Sequence, residues 1–155
     1  MTRTPHNQSL RKSLLGTAFL ALAACSNVAQ AASYTMLRDP GCGCCLKWAD
    51  HVERAARAEV ASVDSTQMAR VKTERGVPQK LWSCHTMDVE GYVIEGHVPA
   101  AAIEKLLRER PEGVTGLAVR GMPLGSPGME ADGRVQPYQV ITFGSSSQRI
   151  FASYP

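Results

Sequence analysis

The chain has 155 residues, the length of one domain, with 44% hydrophobic and 20% charged residues. This balance is typical of a globular protein and excludes a chain that is disordered throughout. The formal net charge of +3 equals the contribution of Arg3, Arg11 and Lys12, because residues 1–31 contain no acidic side chain. The remainder is neutral, which excludes the basic surface of a nucleic-acid-binding protein.

The N-terminal segment has the pattern of an export signal. Its cations precede an apolar run of eleven residues over 14–24. That run is shorter than the roughly 20 residues of a membrane-spanning helix and is typical of a secretory signal. Ala29-Gln30-Ala31 fits a cleavage site, which predicts a signal peptide over 1–31 and one mature domain over 32–155.

A lipoprotein signal over residues 1–24 is the alternative. Leu22-Ala23-Ala24-Cys25 fits a lipobox, and cleavage before Cys25 would leave that cysteine acylated. Both interpretations place the mature protein in the periplasm. Membrane association, as an outer-membrane lipoprotein, is expected only if Cys25 is lipidated.

The region after the signal alternates predicted strands and helices. In the first helix, Leu46, Ala49 and Val52 recur at helical spacing and are expected to face a sheet. In chain order, we predict a strand at Tyr34–Arg38, a helix at Leu46–Ala58, a strand at Glu59–Val63, a helix at Gln67–Arg75, strands at Trp82–Val89 and Tyr92–Glu95, and a helix at Ala100–Arg110.

The C-terminal third has a different pattern. Gly116–Val119 is short and apolar, and Gly121–Gly133 is rich in glycine and proline and reads as a long ordered loop. Tyr138–Phe143 and Arg149–Tyr154 flank a serine-rich turn and predict a hairpin. The predicted fold class is α/β, a thioredoxin-like sheet with flanking helices followed by a C-terminal loop and β-hairpin.

Four cysteines follow the signal, and three of them, Cys42, Cys44 and Cys45, lie within four residues. A disulfide framework is a strained interpretation. Adjacent cysteines pair with poor geometry, and a Cys42–Cys45 bridge would close a very small loop and add little stability. A domain of this length also builds its own core. We therefore interpret the cluster as a chemical site.

The three clustered cysteines stand between a predicted strand and a predicted helix. A helix N-terminus stabilises thiolate, the form of cysteine that binds soft metals. Cys84, at the start of a later predicted strand, lies next to that helix in a thioredoxin-like sheet, so the four thiols are expected to converge. Thiolates select Cu(I), Zn(II) or iron–sulfur clusters, and Cys-x-Cys and Cys-Cys pairs favour several bridged Cu(I) ions.

Methionine and histidine are further candidate ligands. Met122 and Met129 lie in the long loop, where they are either soft ligands or fill gaps against the core. His85 and His97 are either ligands or structural residues. Within a strand, Cys84 and His85 would point to opposite faces, which argues against a shared centre. Three other methionines are expected in the core: Met36, Met68 and Met87.

Five segments together resemble the CopG-type copper-resistance family, a family of periplasmic metal-binding proteins. They are Asp39–Trp48, Ser83–Thr86, Gly91–Pro99, Gly116–Val119 and Gly121–Glu130, within a resemblance that covers Tyr34–Tyr154. The resemblance implies a thioredoxin-like fold, a copper cluster held by Cys42, Cys44, Cys45 and Cys84, and a role in copper tolerance. Nearby histidine and methionine side chains would be supplementary ligands. Arg120 departs from the family pattern, where proline is expected.

The function that we predict is that of a periplasmic copper-binding protein with a cysteine-bridged, multinuclear Cu(I) site that contributes to copper resistance. Its partners are copper ions and other periplasmic copper-handling proteins. Whether it also converts copper between oxidation states, as a copper oxidoreductase, is left open by the sequence. The alternatives are a thiol–disulfide oxidoreductase that uses Cys42 and Cys45, and a structural module with one four-cysteine zinc site.

Overall fold

The computed structural model describes residues 1–2 and 34–155. The predicted export signal, both of its candidate cleavage sites and Cys25 lie outside the described residues. Among the described residues, no helix is both long enough and apolar enough to cross a membrane.

The chain forms an α/β fold, as predicted, with seven strands, three α-helices and one short 3₁₀ helix in the described part. The predicted strands Tyr34–Arg38 and Tyr92–Glu95 have the same bounds in the structure, and the other predicted elements are present with shifted ends. The elements are β1 Tyr34–Arg38, α1 Gly43–Ala56, β2 Val60–Asp64, α2 Met68–Glu74, the 3₁₀ helix Gln79–Leu81, β3 His85–Val89, β4 Tyr92–Glu95, α3 Ala100–Glu109, β5 Val114–Val119, β6 Tyr138–Gly144 and β7 Ile150–Tyr154.

All seven strands belong to one mixed sheet in the order β2-β1-β3-β4-β5-β6-β7. The β1–β2 and β4–β5 pairs are parallel, because α1 and α3 return the chain to the starting edge of the sheet. The other pairs are antiparallel. Glu90 and Gly91 connect β3 to β4 with φ values of 45° and 84°, the left-handed backbone that a tight hairpin turn needs.

The main core lies on the face of the sheet covered by α1 and α3. From α1 it buries Cys45, Trp48, Ala49 and Val52. The expectation that Leu46 faces the sheet is wrong, since its side chain is 42% exposed. The helix begins at Gly43 rather than at Leu46, and Cys45 and Trp48 occupy the inward positions one turn apart.

A smaller cluster lies on the opposite face, below α2 and the 3₁₀ helix. It contains Val77, Leu81, Ala118 and Phe143. Because neighbouring strand residues point to opposite faces, Ala118 belongs to this cluster whereas Leu117 and Val119 belong to the main core. The predicted core methionines are all buried: Met36 and Met87 are 0% exposed and Met68 is 6% exposed.

Candidate metal centre

The topology of the sheet brings the four cysteines together. Cys42 caps the N-terminus of α1, and Cys44 and Cys45 lie in its first turn. In the antiparallel pairing of β1 with β3, Arg38 at the end of β1 lies opposite His85 at the start of β3. The chain that leaves β1 toward α1 therefore passes beside the chain that enters β3. As a result, one Sγ atom from each of the four cysteines lies within 4.8 Å of the others.

Arg38 shapes the turn that leads into the cluster. Its guanidinium donates to the carbonyl oxygens of Asp39 and Pro40 at 3.1 Å and to that of Cys42 at 3.4 Å. An ion pair with Asp64 at 2.7 Å holds the guanidinium in place. These bonds satisfy backbone carbonyls of the β1–α1 turn and fix the position of the first cysteine.

The structure joins Cys42 and Cys45 by a disulfide, although their short spacing in the sequence made such a bridge an unfavourable expectation. The two Cα atoms are 5.4 Å apart, within the usual range for a disulfide, so the x-x spacing at the helix start does permit the bond. Cys44 and Cys84 are free thiols, and Cys44 Sγ lies 3.4 Å from Cys42 Sγ. The cluster therefore contains a disulfide and two thiols within contact distance.

Cys84 has an unusual ionisation. Burial is the largest cause and the negative charge of Cys44 the next, and the pKa of the Cys84 thiol is raised to about 12. Unlike the other three cysteines, it does not lie at a helix N-terminus. In the absence of metal, Cys84 therefore carries its proton at neutral pH, and a bound metal ion would have to displace that proton.

His97 points its Nε2 atom at Cys84 Sγ, at 3.1 Å. Its Nδ1 atom lies 2.7 Å from the carbonyl oxygen of Pro127. A carbonyl oxygen only accepts hydrogen bonds, so Nδ1 carries the proton and Nε2 presents its lone pair to the thiol. Burial lowers the pKa of His97, which keeps the ring neutral. In this tautomer Nε2 carries the lone pair through which a neutral histidine can bind a metal ion.

His85 approaches the same sulfur, with its Nδ1 atom 3.3 Å from Cys84 Sγ. The ring is 0% exposed and packs against Trp48, with 4.3 Å between the ring centroids. Its Nε2 atom has no hydrogen-bond partner among the described residues. Burial lowers its pKa well below the ordinary value, so the ring is neutral.

The expectation that Cys84 and His85 point away from each other is wrong. It assumed that both residues lie in one strand, but β3 begins at His85 and Cys84 precedes it. The rule that successive residues of a strand point to opposite faces therefore does not apply to Cys84. The ligand atoms of Cys84, His85 and His97 lie within 4.8 Å of one another and form a second donor group that shares Cys84 with the first.

The long loop packs over the cluster at three points. The Ser83 hydroxyl donates to the Gly121 carbonyl, and His97 donates to the Pro127 carbonyl. Gly128 lies so close to α1 that a Cβ atom there would be 2.7 Å from the carbonyl oxygen of Cys44. Met122 is 51% exposed, which excludes the core-filling alternative for that side chain.

Met129 lies in the same loop and is partly buried. The role of Met122 and Met129 as metal ligands stays a prediction.

A buried acid that no sequence pattern predicted lies behind the site. Glu95 is 0% exposed and accepts a hydrogen bond at 2.6 Å from the backbone N–H of Ser83, the residue before Cys84. A single glutamate at the end of an apolar strand carries no sequence signal that distinguishes it from a surface residue. The role of Trp48 was not predicted either. Its Nε1 atom donates to the Val98 carbonyl at 2.8 Å, and this hydrogen bond fixes the ring beside His85.

Comparisons with known proteins found a matching family model and matching solved structures. Residues 81–129, which include Cys84, His85 and His97, match a family described as a protein of unknown function, DUF411. No curated protein matches the chain. A solved structure named Copper resistance protein copG, Form 2, is 41% identical with a TM-score of 0.74, and the match covers 80% of this chain and 98% of that chain.

A second solved structure, Form 1 of the same protein, has the same identity and TM-score over 79% of this chain and 97% of that chain. The matches extend over nearly the full length of both structures, and they confirm the resemblance read from the sequence motifs. The chain therefore belongs to the CopG family of copper resistance proteins.

Proposed function

We propose that this protein binds Cu(I) outside the cytoplasm in a multinuclear site bridged by Cys42, Cys44, Cys45 and Cys84, and that it contributes to copper resistance. The observation that carries the proposal is the overlap of the two donor groups at Cys84. Together they offer four sulfur atoms and two imidazole nitrogens, all soft or borderline donors. The two similar solved structures are named copper resistance proteins, which supports copper as the cargo.

The number of donors supports more than one metal ion. A single tetrahedral ion uses four ligands, whereas the two groups together contain six donors, one of which is the Cys84 sulfur that they share. Thiolates bridge metal ions readily, so a set of neighbouring ions uses all six. His97 presents its Nε2 lone pair without rearrangement, because the Pro127 carbonyl holds the proton on Nδ1.

Full use of the four sulfur donors requires reduction of the Cys42–Cys45 disulfide. An external reductant, such as a thiol or a phosphine, supplies two electrons, and two protons come from the thiol or, with a phosphine, from water, so that the bond becomes two thiols. Bound Cu(I) then displaces the thiol protons. The export of the chain through its N-terminal signal and the supplementary roles of Met122 and Met129 belong to the same proposal.

A thiol–disulfide oxidoreductase is the second candidate, and the Cys42–Cys45 disulfide is the observation that favours it. Cys45 is fully buried, so an attacking thiol would have to reach Cys42. Cys44 Sγ already lies 3.4 Å from Cys42 Sγ and would compete with an external substrate by intramolecular attack. That competition makes the cluster a poor catalyst of thiol–disulfide exchange and favours its use as a metal-binding site.

Metal stoichiometry separates the candidates. Protein purified from the periplasm would be reduced with a phosphine, freed of reductant without oxygen, and titrated with Cu(I) against a chromophoric Cu(I) chelator. We expect more than one copper per chain. A plateau at one copper per chain would contradict the multinuclear site. One tightly held zinc ion with no preference for copper would favour a structural zinc site. Disulfide reductase activity without metal binding would favour the oxidoreductase.

A further inference from the structure

A buried ion pair lies behind Cys84. The side chains of Lys72, in α2, and Glu95, at the end of β4, are 4% and 0% exposed, with 2.6 Å between Nζ and Oε1. Removing two charges from water is costly, and their mutual attraction offsets that cost only when the remaining hydrogen-bonding groups are satisfied. A pair of this kind is a weak source of stability, so its hydrogen bonds indicate what else it does.

The hydrogen bonds of Glu95 converge on the segment that carries Cys84 and His85. Oε1 accepts from the backbone N–H of Ser83 at 2.6 Å, and Oε2 accepts from the Thr86 hydroxyl at 2.7 Å. Lys72 Nζ also donates to Thr86 Oγ1, at 3.0 Å. Ser83 and Thr86 flank the two donor residues, so one carboxylate holds the chain on both sides of them.

The surrounding packing makes this anchor effective. Gly96, with a φ of +70°, lies so close to Ser83 that a Cβ atom there would be 2.5 Å from the Ser83 Cβ. Ser83 is therefore held between the Glu95 carboxylate and the Gly96 backbone. A shift of Ser83 displaces Cys84 Sγ, the atom that both donor groups share.

We infer that the Lys72–Glu95 pair is a positioning device that fixes Cys84 and His85 as metal ligands. It contacts the ligand-bearing segment and not the metal, and it acts as the outer hydrogen-bonded layer of the site. The inference rests on the proposed copper function. A matched control exists in the Arg75–Asp88 pair, which joins the residue after α2 to β3, the strand next to β4, at 2.6 Å without contacting Ser83.

Paired substitutions separate the anchor from the burial of charge. K72M/E95Q removes both charges but keeps a carbonyl oxygen that accepts the Ser83 N–H. K72M/E95L removes both charges and the acceptor. R75M/D88L removes the control pair. All three would be reduced and titrated with Cu(I) against a chelator beside the wild-type protein, with unfolding followed by circular dichroism.

We expect K72M/E95L to bind Cu(I) about 10- to 100-fold more weakly than K72M/E95Q, the range typical for outer-layer partners of metal ligands. R75M/D88L should lose stability yet keep the wild-type copper count and affinity. Equal copper count and affinity in K72M/E95L and K72M/E95Q would overturn the inference. If the wild-type protein itself binds no more than one copper, the proposed function fails instead.

A second variant tests the anchor if K72M/E95L does not fold. Ser83→Pro removes the N–H donor and leaves the ion pair intact, and Trp82, with φ of −58° and ψ of 140°, already has the extended backbone that a following proline requires. Ser83→Ala keeps the N–H and is the control. We expect Ser83→Pro to weaken Cu(I) binding at least tenfold more than Ser83→Ala, and equal affinities would contradict the inference.

A measurement without metal gives an independent readout. In a Cys25→Ser/Cys44→Ser background with the Cys42–Cys45 disulfide intact, Cys84 is the one remaining free thiol of the chain. Its rate of alkylation by N-ethylmaleimide at a fixed pH reports how well the segment is held. We expect a severalfold faster rate when K72M/E95L is added and no change when R75M/D88L is added. Identical rates would leave the pair without a positioning role.

Discussion

Cys84 is the residue on which the site depends. The other three cysteines lie at the N-cap and in the first turn of one helix and would be neighbours in any fold that keeps α1. Cys84 comes from a separate segment and is the single member of both donor groups. Its sulfur is the only donor that can bridge the sulfur-rich and the imidazole-containing parts of the described site.

We predict that Cys84→Ser folds but loses tight Cu(I) binding. The hydroxyl is close in size to the thiol and is a hard, neutral donor that soft Cu(I) does not select. The apparent affinity should fall by more than about tenfold, measured by competition with a Cu(I) chelator. Circular dichroism of the metal-free variant should match the wild type. Unchanged copper count and affinity would show that Cys84 is only a buried thiol.

The two buried histidines predict a pH dependence of stability in the metal-free protein. Burial lowers the pKa of both His85 and His97, so they stay neutral in the folded state while the unfolded chain protonates near the ordinary value. The unfolded state then binds more protons below about pH 6.5. The free energy of unfolding should be greatest above that pH and fall as the pH drops, by up to about 1.4 kcal/mol per pH unit for each histidine.

Urea unfolding of the metal-free protein between pH 7.5 and pH 5 measures this slope. His97→Gln should reduce it, because one of the two shifted groups is gone. His51→Gln is the matched control, since His51 is partly exposed on α1 and outside both donor groups. It should keep the wild-type slope. Stability that does not depend on pH in this range would contradict the prediction.

At the scale of the elements, the site is a helix N-terminus closed by a loop. The helix supplies three cysteines, and residues 121–128 of the loop reach back to Ser83, to His97 and to the first turn of α1. Gly128 marks the closest approach, because the loop backbone lies directly against the Cys44 carbonyl. The loop therefore determines how His97 is oriented.

We predict that Gly128→Ala destabilises the protein and weakens copper binding. Its φ is +81°, and a Cβ atom would lie 2.7 Å from both the Cys44 oxygen and the Trp48 nitrogen. Left-handed strain costs about 1–3 kcal/mol, and the clash adds to it. Gly133→Ala is the matched control, because its φ is +72° and nothing lies within 4 Å of its added Cβ.

Thermal unfolding and Cu(I) competition compare the two glycine variants. Gly133→Ala should carry the backbone strain alone and keep the wild-type copper affinity. Gly128→Ala should lose more stability and also bind copper more weakly, because the loop can no longer rest on α1. If both variants behave alike, the loop does not shape the metal site.

At the scale of the whole molecule, the structure is the oxidised form of the cysteine cluster. Two of its four sulfurs are engaged with each other. A sulfur in a disulfide is a poor ligand compared with a thiolate, so the oxidation state of one bond controls the donor set available to a metal.

We predict that copper loading depends on prior reduction. Protein that keeps the Cys42–Cys45 disulfide should bind less Cu(I) per chain than protein reduced with a phosphine, measured by metal analysis after removal of unbound copper. Cys42→Ser/Cys45→Ser, which cannot form the bond, should show the same low capacity with and without reductant. Equal copper content in oxidised and reduced wild-type protein would contradict a role for these two sulfurs.

Local patterns in the sequence determined the elements and the chemistry of the site. The alternation at Tyr34–Arg38 predicted a strand with the observed bounds, and three cysteines in four residues at a helix start indicated a soft-metal site without any tertiary information. Such signals depend on residues that are neighbours in the sequence, so they can be recognised without knowledge of the fold. The family motifs extended the same local evidence to Cys84.

The tertiary structure decided how distant residues meet. The pairing of β1 with β3 places Cys84 beside α1, and the true start of β3 turns Cys84 and His85 toward one another. The Pro127 carbonyl in the loop selects the tautomer of His97, and the position of α2 places Lys72 beside Glu95. These contacts join residues far apart in sequence, and each depends on strand register and helix rotation, which no local pattern encodes. For that reason the sequence determined which donor residues the protein carries. Only the fold determined that Cys84 belongs both to the four-cysteine group and to the group with His85 and His97.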